Sequence, residues 1–411
     1  MRWELAYRIF FGAVLLFAAG GTAKAQSGAS TPQDKAMPQA DAATLKAAFQ
    51  QAFETYKQEL VAIEVLRSEY HSAEAARRKQ INNQLRERHP QSAAILDKMV
   101  KAALAAYQSA PETDQQITDL LQKVAAHRML GSGANSQGGD DYEAALEVIN
   151  ALVEGGNRTK ELPVWGILAA YATNELDKAA MYRDMAQSTG AFAVEPVGKA
   201  ASDVVGLAQG MSRGIEQQRQ LWQAEKAIRD AEAKADDLPR VRMTTSEGEL
   251  IIELFENEAP QAVANFVTLV KDKFYDGVIF HRVLPRFMAQ GGDPQGTGTG
   301  GPGYNIRCEC YQPNARMHFR GSLSMAHAGR DSGGSQFFLT FLPTAHLNPN
   351  PARQSGHTVF GRVIEGFDVL AKLVRVNPGE AGLPESRIVK AEVIRDRGHD
   401  YSQRFEKLPG R

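Results

Sequence analysis

Between residues 41 and 235, apolar side chains recur at spacings of three and four, the pattern of amphipathic helices that share a core. Alanine, leucine, glutamine and glutamate dominate this stretch, and β-branched runs are few, which also favours helix. We predict an all-α domain over residues 41–235, in which helix continues through residues 77–88, 93–107 and 114–130 and is also formed by residues 162–173 and 209–234. One apolar stripe comprises Leu45, Phe49, Phe53, Tyr56, Leu60, Ile63 and Leu66.

A faint internal period follows the glycine-rich loop at residues 131–139. Tyr142 and Leu176 are separated by 34 positions, as are Ala145 and Ala179. A helix–turn–helix period of this length resembles tetratricopeptide repeats, here over residues about 140–190. Little more than one unit is present, so an unrelated helical bundle stays an alternative.

The pattern changes at residue 240, where short apolar runs begin to alternate with glycine-rich turns. Residues 241–255 indicate a β-hairpin, and residues 259–272 a helix that begins near Pro260. Further short runs lie at 278–283, 321–326, 336–341, 358–363 and 387–394, with a second helix over 367–374. We predict a mainly-β domain over residues 240–396, a closed or nearly closed antiparallel barrel with two helices. Residues 397–411 are predicted to form a polar tail.

The N-terminus has the pattern of an export signal. Arg2 and Arg8 precede an apolar run over residues 9–19, and Ala23-Lys24-Ala25 offers a small-x-small cleavage site. We predict that residues 1–25 are removed, that residues 26–40 form a flexible linker, and that the protein is exported. In a Gram-negative-type bacterium it would be periplasmic. A membrane anchor formed by an uncleaved signal is the alternative.

Charge and cysteine content narrow the choice of partners. The 47 basic and 48 acidic residues nearly cancel, so no net field favours nucleic acid or, after signal cleavage, a membrane surface. The two cysteines, Cys308 and Cys310, exclude a disulfide framework and a four-thiolate zinc site. They could be a redox pair, part of a metal site or free thiols, and free thiols are the simplest interpretation.

Candidate chemistry concentrates in two stretches. Residues 280–294 place one cation, Arg282, among apolar residues, followed by the amide of Gln290 and a glycine pair. Residues 334–339 supply a second amide, Gln336, next to two aromatic rings. No nucleophile, metal cluster or phosphate loop accompanies them. A guanidinium beside an apolar surface suits a reaction that needs a fixed donor and a dry site but no proton transfer.

Residues 240–396 resemble the cyclophilin family of peptidyl-prolyl isomerases. The motifs that carry the resemblance are Phe280-His281-Arg282-Val283, Phe287-Met288-Ala289-Gln290-Gly291-Gly292-Asp293, Leu323-Ser324-Met325-Ala326, Gly334-Ser335-Gln336-Phe337-Phe338 and His357-Thr358-Val359-Phe360-Gly361. The resemblance implies isomerisation of X–Pro bonds without a cofactor or metal, with proline-containing polypeptides as substrates.

The resemblance also implies roles for eleven residues. Arg282 would be the catalytic cation, and Gln290 would support it or hold the substrate carbonyl. Phe287, Met288, Phe338 and Leu347 would form the proline pocket, with His357 at its wall. Gln336 and the backbone of Ala326, His327 and Ala328 would hold the peptide on either side of proline. We expect His281 to make a structural hydrogen bond rather than to catalyse.

Four features depart from the family pattern. Arg286 stands where glycine is usual, and we expect it to face solvent; the alternative is that this second cation favours acidic residues beside the proline of the substrate. His327 replaces an asparagine at a position used mainly through its backbone. His346 lies where the best-known members have tryptophan, which puts cyclosporin binding in doubt. Residues 349–356 lengthen the loop before His357.

Together these observations predict an exported two-domain isomerase that assists the folding of unfolded polypeptides. The helical domain would recruit a client or partner, or act as a chaperone. The alternative is a chaperone or scaffold that binds proline peptides with little catalysis.

Overall fold

The computed structural model describes residues 41–132, 137–350, 352–353, 355–377 and 385–410. The predicted export signal and linker, residues 1–40, lie outside the described residues. The chain divides into two compact units: the residues up to Ala126 together with Glu147–Thr159, and His127–Leu146 together with residues 160–411. Both units therefore contain helical sequence, and the second contains the whole region in which strands were predicted.

Two long helices, α1 (Ala42–Ser72) and α2 (Ala75–Ser109), pack against each other in the first unit. Asp41 caps α1 by accepting a hydrogen bond from the Thr44 amide at 3.0 Å. The predicted apolar stripe of α1 is buried or half-buried throughout. The segments 77–88 and 93–107, predicted to be helical, both lie in α2, which is continuous through them. Helix α3 (Gln115–Leu130) follows.

Four more helices precede the strands: α4 (Tyr142–Glu154), α5 (Glu161–Ala172), α6 (Leu176–Ser188) and α7 (Lys199–Ala235). Helix α5 is buried along nearly its whole length and packs against α6 and α7. The absence of a side chain at Gly166 lets α6 approach, since a Cβ there would lie 2.6 Å from the Tyr182 ring. The helix–turn–helix order is compatible with the tetratricopeptide-like resemblance.

Of the ten strands in the described residues, whose bounds are given below, eight form one antiparallel sheet in the order β3-β4-β7-β6-β8-β2-β1-β9, and β5 pairs with β10. Its edges meet, because Phe280 donates to the Ser386 carbonyl and Ile388 to the Val278 carbonyl, both at 2.8 Å. The predicted antiparallel barrel is confirmed, with its two helices α8 (Pro260–Lys271) and α9 (Phe367–Lys372). The strands are β1 (Arg240–Thr245), β2 (Gly248–Leu254), β3 (Arg282–Leu284), β4 (Met288–Gly291), β5 (Tyr304–Asn305), β6 (Ser322–Met325), β7 (Phe337–Thr340), β8 (Val359–Glu365), β9 (Ile388–Arg395) and β10 (Leu408–Pro409).

Aromatic rings fill the barrel core. Phe266 of α8 contacts Tyr275, Phe337 and Phe360 with ring centroids 5.1–5.7 Å apart. Such edge and tilted contacts add to the free energy gained by burial. The core therefore fixes the inner face of β7, the strand that carries Phe338 on its other face.

Residues 397–410 do not extend from the barrel as the predicted polar tail. Tyr401 is buried in the barrel core and donates to Glu256 at 3.0 Å, and β10 pairs with β5. One buried ring and two paired residues are enough to dock a segment that is otherwise polar.

Within the described part of the chain, no helix combines the length and apolarity needed to cross a membrane.

Candidate active site

One cavity of about 1030 Å³ brings together every residue for which the sequence predicted a site role. It lies beside β3, β4 and β7 and is bordered by the loops at 295–303, 326–335 and 347–357. The eleven residues are Arg282, Gln290, Phe287, Met288, Ala326, His327, Ala328, Gln336, Phe338, Leu347 and His357. Their positions are thus compatible with the predicted roles, which stay predictions.

Strand register places the cation, the amide and one ring side by side. Arg282 of β3 lies opposite Gln290 of β4, which lies opposite Phe338 of β7. Residues directly opposite each other in adjacent strands point to the same face of a sheet. The guanidinium is half-buried, and it therefore meets the cavity with an amide and an apolar ring on the same face.

A chain of side-chain amides continues from Gln290. Its Nε2 donates to Gln336 Oε1 at 2.9 Å, and Gln336 Nε2 donates to the carbonyls of Gly298 and Gly300 at 3.0 and 2.9 Å. Gln336 is thereby fixed between the strand and the glycine-rich loop, and it orients the amide beside Arg282.

Asp293 organises the glycine-rich loop, a role that the sequence did not indicate. Its carboxylate accepts hydrogen bonds from the backbone of Gln295, Gly298 and Gly300 at 2.6–3.1 Å. Although burial raises the pKa of Asp293, these backbone donors outweigh it and lower the pKa. The carboxylate thus stays charged and fixes the loop to which Gln336 is bonded.

The apolar side of the cavity is formed by buried and half-buried side chains. Met288 and Phe338 are almost fully buried, and Leu347 and His357 are half-buried at its wall. Phe338 meets His357 edge-on at 5.5 Å and stacks flat on His318 at 5.8 Å. His318 is therefore a support for the pocket that sequence reasoning missed, because an isolated histidine between loops follows no periodic pattern.

His357 is a neutral wall of the cavity at pH 7. Burial, reinforced by the neighbouring His327, lowers its pKa to about 4. Its Nδ1 lies 2.9 Å from the Met325 carbonyl oxygen, to which it donates, and its ring stacks 4.2 Å from that of His327. The residue thus offers surface to a ligand and does not add a second cation to the site.

His327, which lines the cavity, contacts one of the two cysteines, Cys308. His327 donates to the Gly356 carbonyl at 3.0 Å. Burial alone would lower the pKa of His327, but its contacts with Cys308 and Gly356 raise it. Cys308 and Cys310 are free thiols in the structure, and Cys308 Sγ accepts from the Asp331 amide at 3.1 Å.

Two expectations near Arg282 were wrong. Arg286 does not face solvent: its side chain is 6% exposed and donates to Asp203 at 3.1 Å. His281 is also buried, and within the described part of the chain neither of its ring nitrogens has a hydrogen-bond partner. Burial lowers the pKa of His281, so the ring is neutral.

The described residues include no group of three or more histidine, cysteine, aspartate or glutamate side chains placed to hold a metal ion. The arrangement instead offers one guanidinium, two linked amides and an apolar pocket. These groups can bind an extended peptide and donate a hydrogen bond to it.

Comparison with known proteins agrees with this geometry. The family model described as "Cyclophilin type peptidyl-prolyl cis-trans isomerase/CLD" matches residues 240–393. A peptidyl-prolyl cis-trans isomerase of Helicobacter pylori is 51% identical over 152 residues, which cover 36% of this chain and 88% of the relative. Peptidyl-prolyl cis-trans isomerase B of Bacillus subtilis is 54% identical over 116 residues, 28% of this chain and 76% of the relative. A crystal structure of a Cryptosporidium parvum cyclophilin-type isomerase aligns with a TM-score of 0.34 and 33% identity, over 38% of this chain and 97% of that one.

Proposed function

Because the chain belongs to the family of cyclophilin-type peptidyl-prolyl cis-trans isomerases, we propose that it accelerates X–Pro isomerisation in unfolded, exported polypeptides and so assists their folding. The observation that supports a catalytic cavity best is the register that places Arg282, Gln290 and Phe338 on one face across three strands.

The chemistry requires a donor that acts in the twisted state. Rotation about an X–Pro bond has a barrier of about 18–20 kcal/mol, because the proline nitrogen donates into the carbonyl. When the bond twists, that nitrogen becomes pyramidal and basic. The Arg282 guanidinium would donate to it, an interaction that is stronger in the transition state than in either ground state. Each ~1.4 kcal/mol gained there accelerates the reaction about tenfold.

The pocket strengthens this donor. Phe287, Met288 and Phe338 would enclose the proline ring and exclude water, which raises the electrostatic effect of Arg282. Gln290 and Gln336, together with the backbone of residues 326–328, would hold the peptide on either side of proline. No proton is transferred, which agrees with the neutral His357 beside the pocket.

A protease-coupled isomerase assay tests the proposal. We expect Arg282→Ala to lower kcat/KM by about 10²–10³-fold, the usual effect of removing a transition-state donor. Arg330→Ala is a matched control, because Arg330 is an exposed cation of the loop that borders the same cavity. It should leave kcat/KM within about twofold. A parent protein that does not accelerate the reaction would exclude the enzymatic function, and an unchanged Arg282→Ala would exclude the donor role.

The alternative, a scaffold or chaperone that binds proline peptides, makes a different prediction for the same proteins. It requires the parent to bind a proline peptide without accelerating its isomerisation. The enzyme requires Arg282→Ala to keep most of the peptide affinity while catalysis is lost, because Phe287, Met288 and Phe338 remain. Peptide titration beside the kinetic assay distinguishes the two.

Export is supported by the sequence pattern of residues 1–25 and is tested separately. The mature protein should be recovered outside the cytoplasm with Gln26 as its first residue. Recovery in the membrane fraction with Met1 retained would favour the anchored alternative, and recovery in the cytoplasm would exclude export.

The helical residues would bind clients or a protein partner. Full-length protein carrying Arg282→Ala should then still suppress aggregation of an unfolded client. If that variant has no such effect, the chaperone role of the helices is excluded, whatever the isomerase assay shows.

A further inference from the structure

One short turn connects the strand that carries Arg282 to the strand that carries Gln290. The turn covers residues 284–287 and is closed by a hydrogen bond from the Phe287 amide to the Leu284 carbonyl at 3.2 Å. Its third residue, Arg286, has φ +59°, in the left-handed region that favours glycine. This backbone conformation needs support from the residues around it.

The support comes from Asp140, which precedes helix α4. Its two carboxylate oxygens accept from the Arg286 amide at 3.1 and 3.0 Å. Asp203 of α7 accepts from the Arg286 guanidinium at 3.1 Å. Both the backbone and the side chain of Arg286 are therefore held by acidic residues from the helical part of the chain.

Asp140 also holds the other side of β3. It accepts from the guanidinium of Arg375 at 2.8 Å, and both side chains are 1% exposed. Arg375 precedes Val376, which exchanges two backbone hydrogen bonds with Val283 of β3 at 2.8 and 3.0 Å. One buried carboxylate thus ties together the turn that follows β3 and the segment that pairs with it.

Strand β3 needs such anchoring more than the other strands of the site. It is three residues long and lies at the end of the strand order. Catalytic groups must be held within about 0.5 Å of their productive positions, and displacement by about 1 Å can cost as much as 100-fold in rate. A small movement of β3 would displace Arg282, and movement of the turn would displace Phe287.

We propose that Asp140, assisted by Asp203, is a positioning residue for the isomerase reaction. Acting through Arg286, the two carboxylates fix β3 and its turn, and so place the Arg282 guanidinium and the Phe287 ring in the cavity. Neither carboxylate touches the substrate. The inference rests on the proposed role of Arg282 as the donor.

Asp140→Asn tests this inference against a matched control, Glu225→Gln. Glu225 is also a buried carboxylate of the helical part, and it binds a buried arginine of the barrel, Arg316, at 2.7 Å. It does not contact β3 or its turn. In full-length protein, at temperatures where both variants are folded, we expect Asp140→Asn to lower kcat/KM about tenfold, mainly through kcat. Glu225→Gln should stay within twofold of the parent even if its melting temperature falls equally.

Asp203→Asn keeps the test decisive if Asp140→Asn does not fold, and Arg286→Gly tests the route through the turn if it does. Asp203 is partly exposed, so Asp203→Asn should fold and lower kcat/KM about threefold. Arg286→Gly should reduce the effect of Asp140→Asn to less than threefold, because glycine adopts the turn without support. Unchanged kcat/KM in folded Asp140→Asn or in Asp203→Asn, or an equal loss in Glu225→Gln, would overturn the inference. An inactive parent would instead overturn the proposed function.

Discussion

Mild acid should destabilise the barrel through one histidine, His318, which lies behind the proline pocket. Its side chain is 2% exposed and stacks on Phe338. Nδ1 donates to Asn348 Oδ1 at 3.0 Å, and Nε2 lies 2.9 Å from the oxygen of the Ser324 hydroxyl, which itself donates to the Thr358 carbonyl at 3.1 Å. Among the described residues no carboxylate bonds to the ring, and protonation would place a cation in this buried site.

The size of the effect follows from the difference in pKa between the folded and unfolded states. Burial lowers the pKa of His318 from 6.5 to about 3. Since the folded pKa is the lower one, the unfolded chain binds the proton first. Stability is fully present above pH 6.5 and is lost as the pH falls from 6.5 towards 3. At pH 5, which is 1.5 pH units below the unfolded pKa, protonation of His318 in the unfolded chain lowers the free energy of unfolding by ~2 kcal/mol, since each pH unit contributes ~1.4 kcal/mol.

Urea unfolding at pH 8 and pH 5 measures the contribution of His318 to the free energy of unfolding. Trp222, whose ring lies 5.4 Å from that of Phe319, gives a fluorescence signal next to His318. We expect the loss of unfolding free energy between the two pH values to be ~2 kcal/mol smaller in His318→Gln than in the parent, as the pKa difference predicts. His71→Gln removes an exposed histidine and should leave the loss unchanged. An equal loss in His318→Gln and the parent would refute the assignment of a neutral, buried His318.

Two further predictions concern the cavity rim and the helices that contact the barrel. His346→Trp should strengthen cyclosporin inhibition about tenfold while leaving kcat/KM within twofold. The reason is that a larger ring would cover Phe287, whose ring centroid lies 5.4 Å from that of His346. Unchanged inhibition in an enzymatic assay would show that His346 does not determine cyclosporin sensitivity. Residues 240–411 expressed alone should unfold at a lower urea concentration than the full chain, since Arg316 and Arg375 lose their buried carboxylate partners; equal midpoints would contradict this.

The barrel was predictable because its evidence is local. Motifs such as residues 280–293 and 334–338 lie in unbroken stretches, and the strands and helices they imply were found in place. The eleven predicted site residues reach one cavity because β3, β4 and β7 pair in register. Their roles still await the assays above.

Features that depend on long-range contacts were not predictable. The partners of Arg286, Asp140 and Asp203, lie 146 and 83 residues away in the sequence. The sequence around Arg286 therefore predicted a surface cation. Tyr401 is a single buried side chain within a polar segment, and His318 lies in a buried loop beside Phe319, so neither follows a helical or strand period. The predicted boundary between a helical and a barrel domain followed a change in composition, whereas the compact units follow contacts.

That difference bears on how the isomerase domain is stabilised. The side chains of Arg316, Arg320 and Arg375 in the barrel region are each at most 2% exposed, and each binds a carboxylate from the residues that precede the barrel. Removing one partner of a buried ion pair leaves an uncompensated charge, which typically costs about 3–5 kcal/mol. The match to the Helicobacter relative covers 36% of this chain but 88% of the relative. Little of the relative's sequence therefore lies outside the match and could supply such residues.

The buried arginines thus link the barrel of this chain to acidic residues that precede it in the sequence, which the shorter relative has little length to supply. Asp140 differs from the other partners because its second contact is the turn that follows β3. Glu225 stabilises the barrel through Arg316, whereas Asp140 also connects the helical residues to the strand of Arg282.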